Sequence, residues 1–209
     1  MEFSRLVEIT AELHCFSPGM VTSGEQLDRI RVQLSRWVQS GRLVRIYKGW
    51  YTLAGPYRRV TLDLFVVACA IRPGTYVSTH SALLYHGLIP EHVPETTCVT
   101  TGRPVTIETP FGRIRYRHIK REAFWGYEEI RQGSQSCFVA KAEKALLDLI
   151  YLTPGASDRN YIHELRLDRL DGLDIGLVTS MAHRFGNPKL REAAKFLSEL
   201  KKENQGGMH

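Results

Sequence analysis

What this sequence lacks narrows its function first. Its four cysteines, Cys15, Cys69, Cys98 and Cys137, lie far apart and form no Cys-x-x-Cys pair. Neither a zinc site nor a disulfide framework is indicated, and packed, reduced thiols are expected. No apolar run approaches the roughly 20 residues that a membrane span needs. The opening residues Met1-Glu2-Phe3-Ser4-Arg5 lack the charged-then-apolar design of a signal peptide, so a cytoplasmic, non-membrane location is expected. There is no Gly-x-Ser-x-Gly, no phosphate-binding loop and no His-x-x-x-His. His80 and His86 are six residues apart, which puts them on different helical faces and argues against a shared metal. Repeats and low-complexity segments are absent as well.

Acidic residues are missing from one stretch in particular. From Arg29 to Arg59 the chain carries eight basic residues and no Asp or Glu. Residues 1–59 have a net charge of +4, against +2 for the remaining 150 residues. A solvated structural face normally mixes both signs to limit self-repulsion, so a polyanionic partner is expected here.

The basic stretch sits in a recognisable order of elements. Phe3, Leu6, Val7, Thr10 and Leu13 share one helical face and predict a helix over Glu2 to Leu13, broken by Ser17-Pro18-Gly19. Next come two overlapping capping boxes, Thr22 with Glu25 and Ser23 with Gln26, which predict a second long helix from about Ser23 to Ser40. Leu27, Ile30, Leu34, Trp37 and Val38 form its apolar stripe, and Gly41 is placed to end it. The opposite side carries Arg29, Gln33, Arg36 and Ser40, with Arg31, Ser35 and Gln39 alongside. Arg pairs bidentately with guanine and Gln with adenine in the major groove, while Ser and Arg also suit phosphates. An exposed helix face carries such residues for solubility alone, so the face gains meaning only from the elements next to it in the chain. Leu43 to Tyr47 and Trp50 to Leu53 read as strands joined through Lys48-Gly49, a hairpin bearing Arg42, Arg45 and Lys48. Helix, helix and basic hairpin in this order predict a winged helix-turn-helix, with the helix on bases and the hairpin on backbone or minor groove.

The segment Leu34-Ser35-Arg36-Trp37-Val38-Gln39-Ser40-Gly41-Arg42-Leu43-Val44-Arg45-Ile46-Tyr47-Lys48-Gly49-Trp50-Tyr51-Thr52-Leu53 resembles the end of the N-terminal winged helix of AbiEi-type antitoxins, regulators of type IV toxin-antitoxin systems. Tyr76 to Pro90 (YVSTHSALLYHGLIP) and Ala142 to Leu149 (AEKALLDL) are similar to segments of the same family's C-terminal region. The resemblance runs from about Phe3 to about Leu152. It implies a repressor of its own operon, partnered with a nucleotidyltransferase-like toxin.

The expected fold class is α+β: a winged helix over 1–56, then a mixed C-terminal domain over 57–209 with a small antiparallel sheet. Gly55-Pro56 marks the boundary, and Arg58 and Arg59 are placed to track the DNA backbone. Beyond it, helices are expected through Leu62 to Cys69, Ser78 to His86 and Lys141 to Leu152, and two more between Leu177 and Leu200. Strands are expected at Thr96 to Thr101, Val105 to Thr109 and Arg113 to Ile119, with Cys137 to Val139 as an edge strand. Lys201 to Gly207 is expected to fray.

Arg113, Arg115 and Arg117 alternate with Ile114, Tyr116 and His118 and put three guanidiniums on one strand face. A solvated sheet face, a second DNA contact and a docking surface for an acidic partner all fit that stripe. The nearest approach to a catalytic set is Ser78, His80, Ser81, His86, Glu143 and Asp148. Glu143, Lys144 and Asp148 read as the solvated side of their helix, and no catalytic residue, cofactor or metal is assigned. Two functional readings remain: a DNA-binding repressor acting on an inverted-repeat operator, as a dimer formed in solution or on DNA, and an interaction protein whose basic surfaces take a protein or RNA.

Overall fold

The computed structural model describes residues 1–24, 26–90, 93–165, 167 and 172–206, the side chains of 204–206 excepted. The N-terminal unit is built from α1 (Phe3–Thr10), α2 (Pro18–Val21), α3 (Gln26–Gln39) and the hairpin β1 (Leu43–Tyr47) and β2 (Trp50–Leu53). Helix α1 ends at Thr10 rather than Leu13, and Pro18 starts a short helix in place of a plain connection. Helix α3 begins at Gln26, not Ser23. Gln26 Oε1 takes a bond from Thr22 Oγ1 at 3.3 Å, while the pairing of Thr22 with Glu25 lies outside the described residues. Leu6, Ala11, Phe16, Ile30, Leu34, Leu43, Tyr51 and Leu53 close the unit's own core. Gly49 takes φ of +74° at the hairpin tip, a conformation that costs glycine nothing.

The second unit corrects the expectation of a small antiparallel sheet. Six strands form one mixed sheet in the order β5-β6-β4-β3-β8-β7: β3 (Thr75–Val77), β4 (Glu95–Thr100), β5 (Val105–Thr109), β6 (Gly112–His118), β7 (Tyr127–Gln132) and β8 (Gln135–Ala140). The β3–β8 and β4–β6 pairs are parallel, and the other three are antiparallel. Strand β8, expected at an edge, lies inside the sheet because charged β7, with Glu128, Glu129 and Arg131 exposed, covers it. Charge on an outermost strand discourages pairing with another chain.

Paired residues point to the same face. Val77, Cys98 and Tyr116 therefore share one side, on which α4 (Leu64–Ile71) lies and the Tyr116 hydroxyl donates to Ala68 O at 2.8 Å. The other side is covered by α6 (Ala142–Leu152), with α5 (Thr79–Tyr85), α8 (Ile175–Phe185) and α9 (Pro188–Gly206) around it. A short α7 (Arg159–Glu164) lies between α6 and α8 in the chain. Helix α9 continues to Gly206 through most of the segment expected to fray; Gly207 lies outside the described residues. All four cysteines are free and at least half-buried. Burial pushes the Cys15 and Cys137 thiols up to about 12, which keeps them protonated and unreactive.

The two units share packing. Leu43 and Ile46, three residues apart on β1, point to opposite faces by strand alternation and are buried in different cores; a register shift lies between Arg45 and Tyr47. Ile46 and Cys15 belong to the second unit's core, and Tyr47 and Trp50 pack on it. Gln135, at the β7–β8 turn, clamps the α1–α2 connection. Its Oε1 accepts from His14 N at 2.7 Å and Cys15 N at 3.3 Å, and its Nε2 donates to Cys15 O at 2.8 Å. His14 Nδ1 in turn accepts from Asp63 N at 3.1 Å. Replacing Gln135 by Ala leaves these backbone groups without partners, and denaturant melts of the variant should show a loss of about 1–3 kcal/mol.

Candidate nucleic-acid interface

Helix α3 turns its apolar stripe inward, with Ile30 and Leu34 buried and Leu27, Trp37 and Val38 half-buried. The 3.6-residue period then sends Arg29, Arg36 and Ser40 to the exposed side, with Gln33 half-buried beside them. Hairpin residues Arg45 and Lys48 are exposed as well. Among the described residues, the side chains of Arg29, Arg36, Arg45 and Lys48 hold no ion pair and no hydrogen bond. These four side chains are exposed and uncompensated within the described residues.

The remaining expected contacts have partners inside the chain. Arg31 pairs with Asp28 one turn earlier, at 2.9 Å, and both are well exposed. Gln33 Oε1 accepts from the Met1 nitrogen at 3.2 Å, and Ser40 Oγ donates to Trp37 O at 3.2 Å. The Arg42 guanidinium lies 5.1 Å from the Phe3 ring centre, and Phe3 packs edge-on to Trp37 and Tyr57. Arg58 lies over Phe111 of the second unit at 5.8 Å. Arg59 sits 4.0 Å from Glu12. Val32, absent from the residues expected on this face, is also exposed on α3; its apolar character hides it among polar neighbours.

The arginine stripe on β6 is locally compensated. Arg113 Nε meets Glu108 and Arg115 Nε meets Glu95, each at 2.7 Å. Arg117 donates to Leu152 O at the end of α6, and burial, with the neighbouring Arg115 charge, pulls it below the usual guanidinium value.

No family model and no curated protein matches the chain. The crystal structure of the RV2827C protein from Mycobacterium tuberculosis is similar to it, with a TM-score of 0.55 at 13% identity over 93% of this chain and 75% of that one. The likeness is one of fold. It does not bear on the AbiEi resemblance.

Ser78, Ser81, His86, Glu143 and Asp148 make hydrogen bonds within the fold. Glu143, Lys144 and Asp148, expected on a solvated face, are buried. They are carried on α6, which lies between the sheet and α8, so even its polar side meets protein. Lys144 Nζ pairs with Asp148 Oδ1 and donates to the Tyr76 hydroxyl at 2.8 Å. Tyr76 and Ser78 donate to Asp148 Oδ2 at 2.9 and 2.8 Å. The ammonium also lies 4.7 to 5.2 Å from the ring centres of Phe185, Tyr76 and Trp125, and the Arg184 guanidinium lies 4.2 Å from the Trp125 ring centre. Burial pushes Asp148 up and Lys144 down, and each partner's charge opposes the other's shift. Gly126 takes φ of +80° against the Lys144 stem, where a Cβ would fall 3.0 Å from Cγ. Glu143 Oε1 accepts from Asp174 N at 3.2 Å and ties α6 to the start of α8. Ser81 Oγ bridges Thr97 N and Glu95 O, and His86 Nε2 meets Ala140 O at 2.8 Å. His80 is half-buried.

Replacing Lys144 by Met strands a buried carboxylate that still accepts from two hydroxyls. Chemical denaturation should show a loss of about 3–5 kcal/mol, whereas Arg36→Ala, on the exposed face of α3, should stay within about 0.5 kcal/mol of the parent.

Proposed function

We propose that the N-terminal unit is a winged helix binding double-stranded DNA, and that the protein is a sequence-specific transcriptional repressor. The observation that carries this reading is the set of uncompensated cations Arg29, Arg36, Arg45 and Lys48, placed on one helix and the hairpin after it. A duplex offers a match for both parts: base edges in the major groove for the helix, phosphates for the hairpin. One such module reads a short half-site, so two copies on an inverted repeat make a complete operator. The resemblance to AbiEi-type antitoxins extends the proposal to autoregulation and to a nucleotidyltransferase-like toxin as partner.

Gel-shift titration against the DNA upstream of its own reading frame tests the reading. Binding is expected at nanomolar concentrations, weakening steeply with salt as counterions are released, and exceeding random duplex by at least about 10³-fold. Equal affinity for random duplex would remove the repressor assignment and favour an interaction protein that takes a protein or RNA. Within a specific complex, Arg36→Ala should cost about 1–3 kcal/mol on the preferred sequence and blur the distinction between operator variants. Lys48→Ala should weaken all duplexes alike and reduce the salt slope by about one. Equal effects of both variants on specific and random DNA would show that helix and hairpin do not divide the work in this way.

A further inference from the structure

Among the described residues, Val32 is the most exposed large apolar side chain, at 54%. It occupies the middle of α3 on the side away from the core, with Arg29 three residues before it, Gln33 beside it and Arg36 four residues after. The spacing i, i+3, i+4, i+7 puts all four on one strip of helix surface. A β-branched residue is a poor choice for a solvated helix position: it restricts its own rotamers and forms helix less readily than Ala, Lys, Glu or Gln. Burial would offset that cost, and inside the chain Val32 has little. Its stiffness suits a contact of fixed geometry with something outside.

In the major groove one base edge carries an apolar group, the thymine 5-methyl. We propose that Val32 is a specificity-determining residue that packs on a thymine 5-methyl, between bases or phosphates met by Arg29 and Arg36. The proposal rests on the reading of the N-terminal unit as a duplex-DNA binder. It adds a defined preference: thymine near the centre of each half-site, recognised through its methyl and not through a hydrogen bond.

The test uses duplexes that the full-length protein selects from a randomised library. Each thymine of the winning sequence is then replaced singly by deoxyuridine, which deletes the methyl and leaves every hydrogen-bonding group in place. For the parent protein, one such position per half-site should weaken binding about fourfold, the loss that accompanies one buried methyl. Val32→Ala should bind the thymine duplex more weakly and be indifferent to that uracil. Val32→Thr, nearly isosteric, should keep part of the sensitivity. Thermal melts should show both variants folded, since the side chain contributes little to the core. A clear selected sequence with a flat uracil scan, a selected half-site without thymine, or undiminished uracil sensitivity in Val32→Ala would overturn the Val32 assignment alone. Selection that yields no preferred sequence would overturn the DNA reading and this proposal with it.

Discussion

Strand β1, whose two faces meet two different cores, is the constraint on which the arrangement of the molecule depends. A regular strand presents alternate residues to two faces, one inward and one outward. In β1 both faces carry a buried residue. Leu43 closes the core beneath α1 and α3, Ile46 closes the core of the six-stranded sheet, and Arg45 between them stays in solvent. One short strand thus joins two cores and still projects a cation. The Gln135 amide makes a second attachment at the α1–α2 connection, and Arg58 over Phe111 a third.

Polar groups elsewhere are arranged according to whether water reaches them. On α6 the Lys144–Asp148 pair has lost its hydration and is compensated by two hydroxyls and three rings. Such a pair gives little net stability but makes alternative packings costly, because any other arrangement leaves a charge buried without a partner. On β6 the arginines are matched by carboxylates or a carbonyl. On α3 and the hairpin, Arg29, Arg36, Arg45 and Lys48 have no such partner among the described residues.

The N-terminal unit is largely legible in the sequence because its signals are local. A 3.6-residue stripe, a glycine at a turn and a charge run are all read within a dozen residues, and α3, β1 and β2 lie within a few residues of where those signals put them. The sheet of the second unit is not. Strand β3 has three residues between a Pro-Gly turn and Ser78, and β7 reads Tyr-Glu-Glu-Ile-Arg-Gln, too charged for an apolar alternation. Strand β3 exists because of partners distant in sequence, whereas β7 exists through its hairpin with the adjacent β8. The α6 lysine and aspartate mislead for the same reason: periodicity separates polar from apolar positions, but it does not say whether the polar side meets water or a tyrosine and a serine some seventy residues earlier.

The sharing of the hairpin also bears on where the chain divides. Gly55-Pro56 marks a turn between two periodic segments, yet Cys15, Ile46, Tyr47 and Trp50 lie before it and pack against residues that lie after it. A fragment ending at residue 56 would carry an uncovered apolar flank and an unclamped connection at His14 and Cys15. The turn at Gly55-Pro56 therefore interrupts the local pattern of the chain without interrupting its packing.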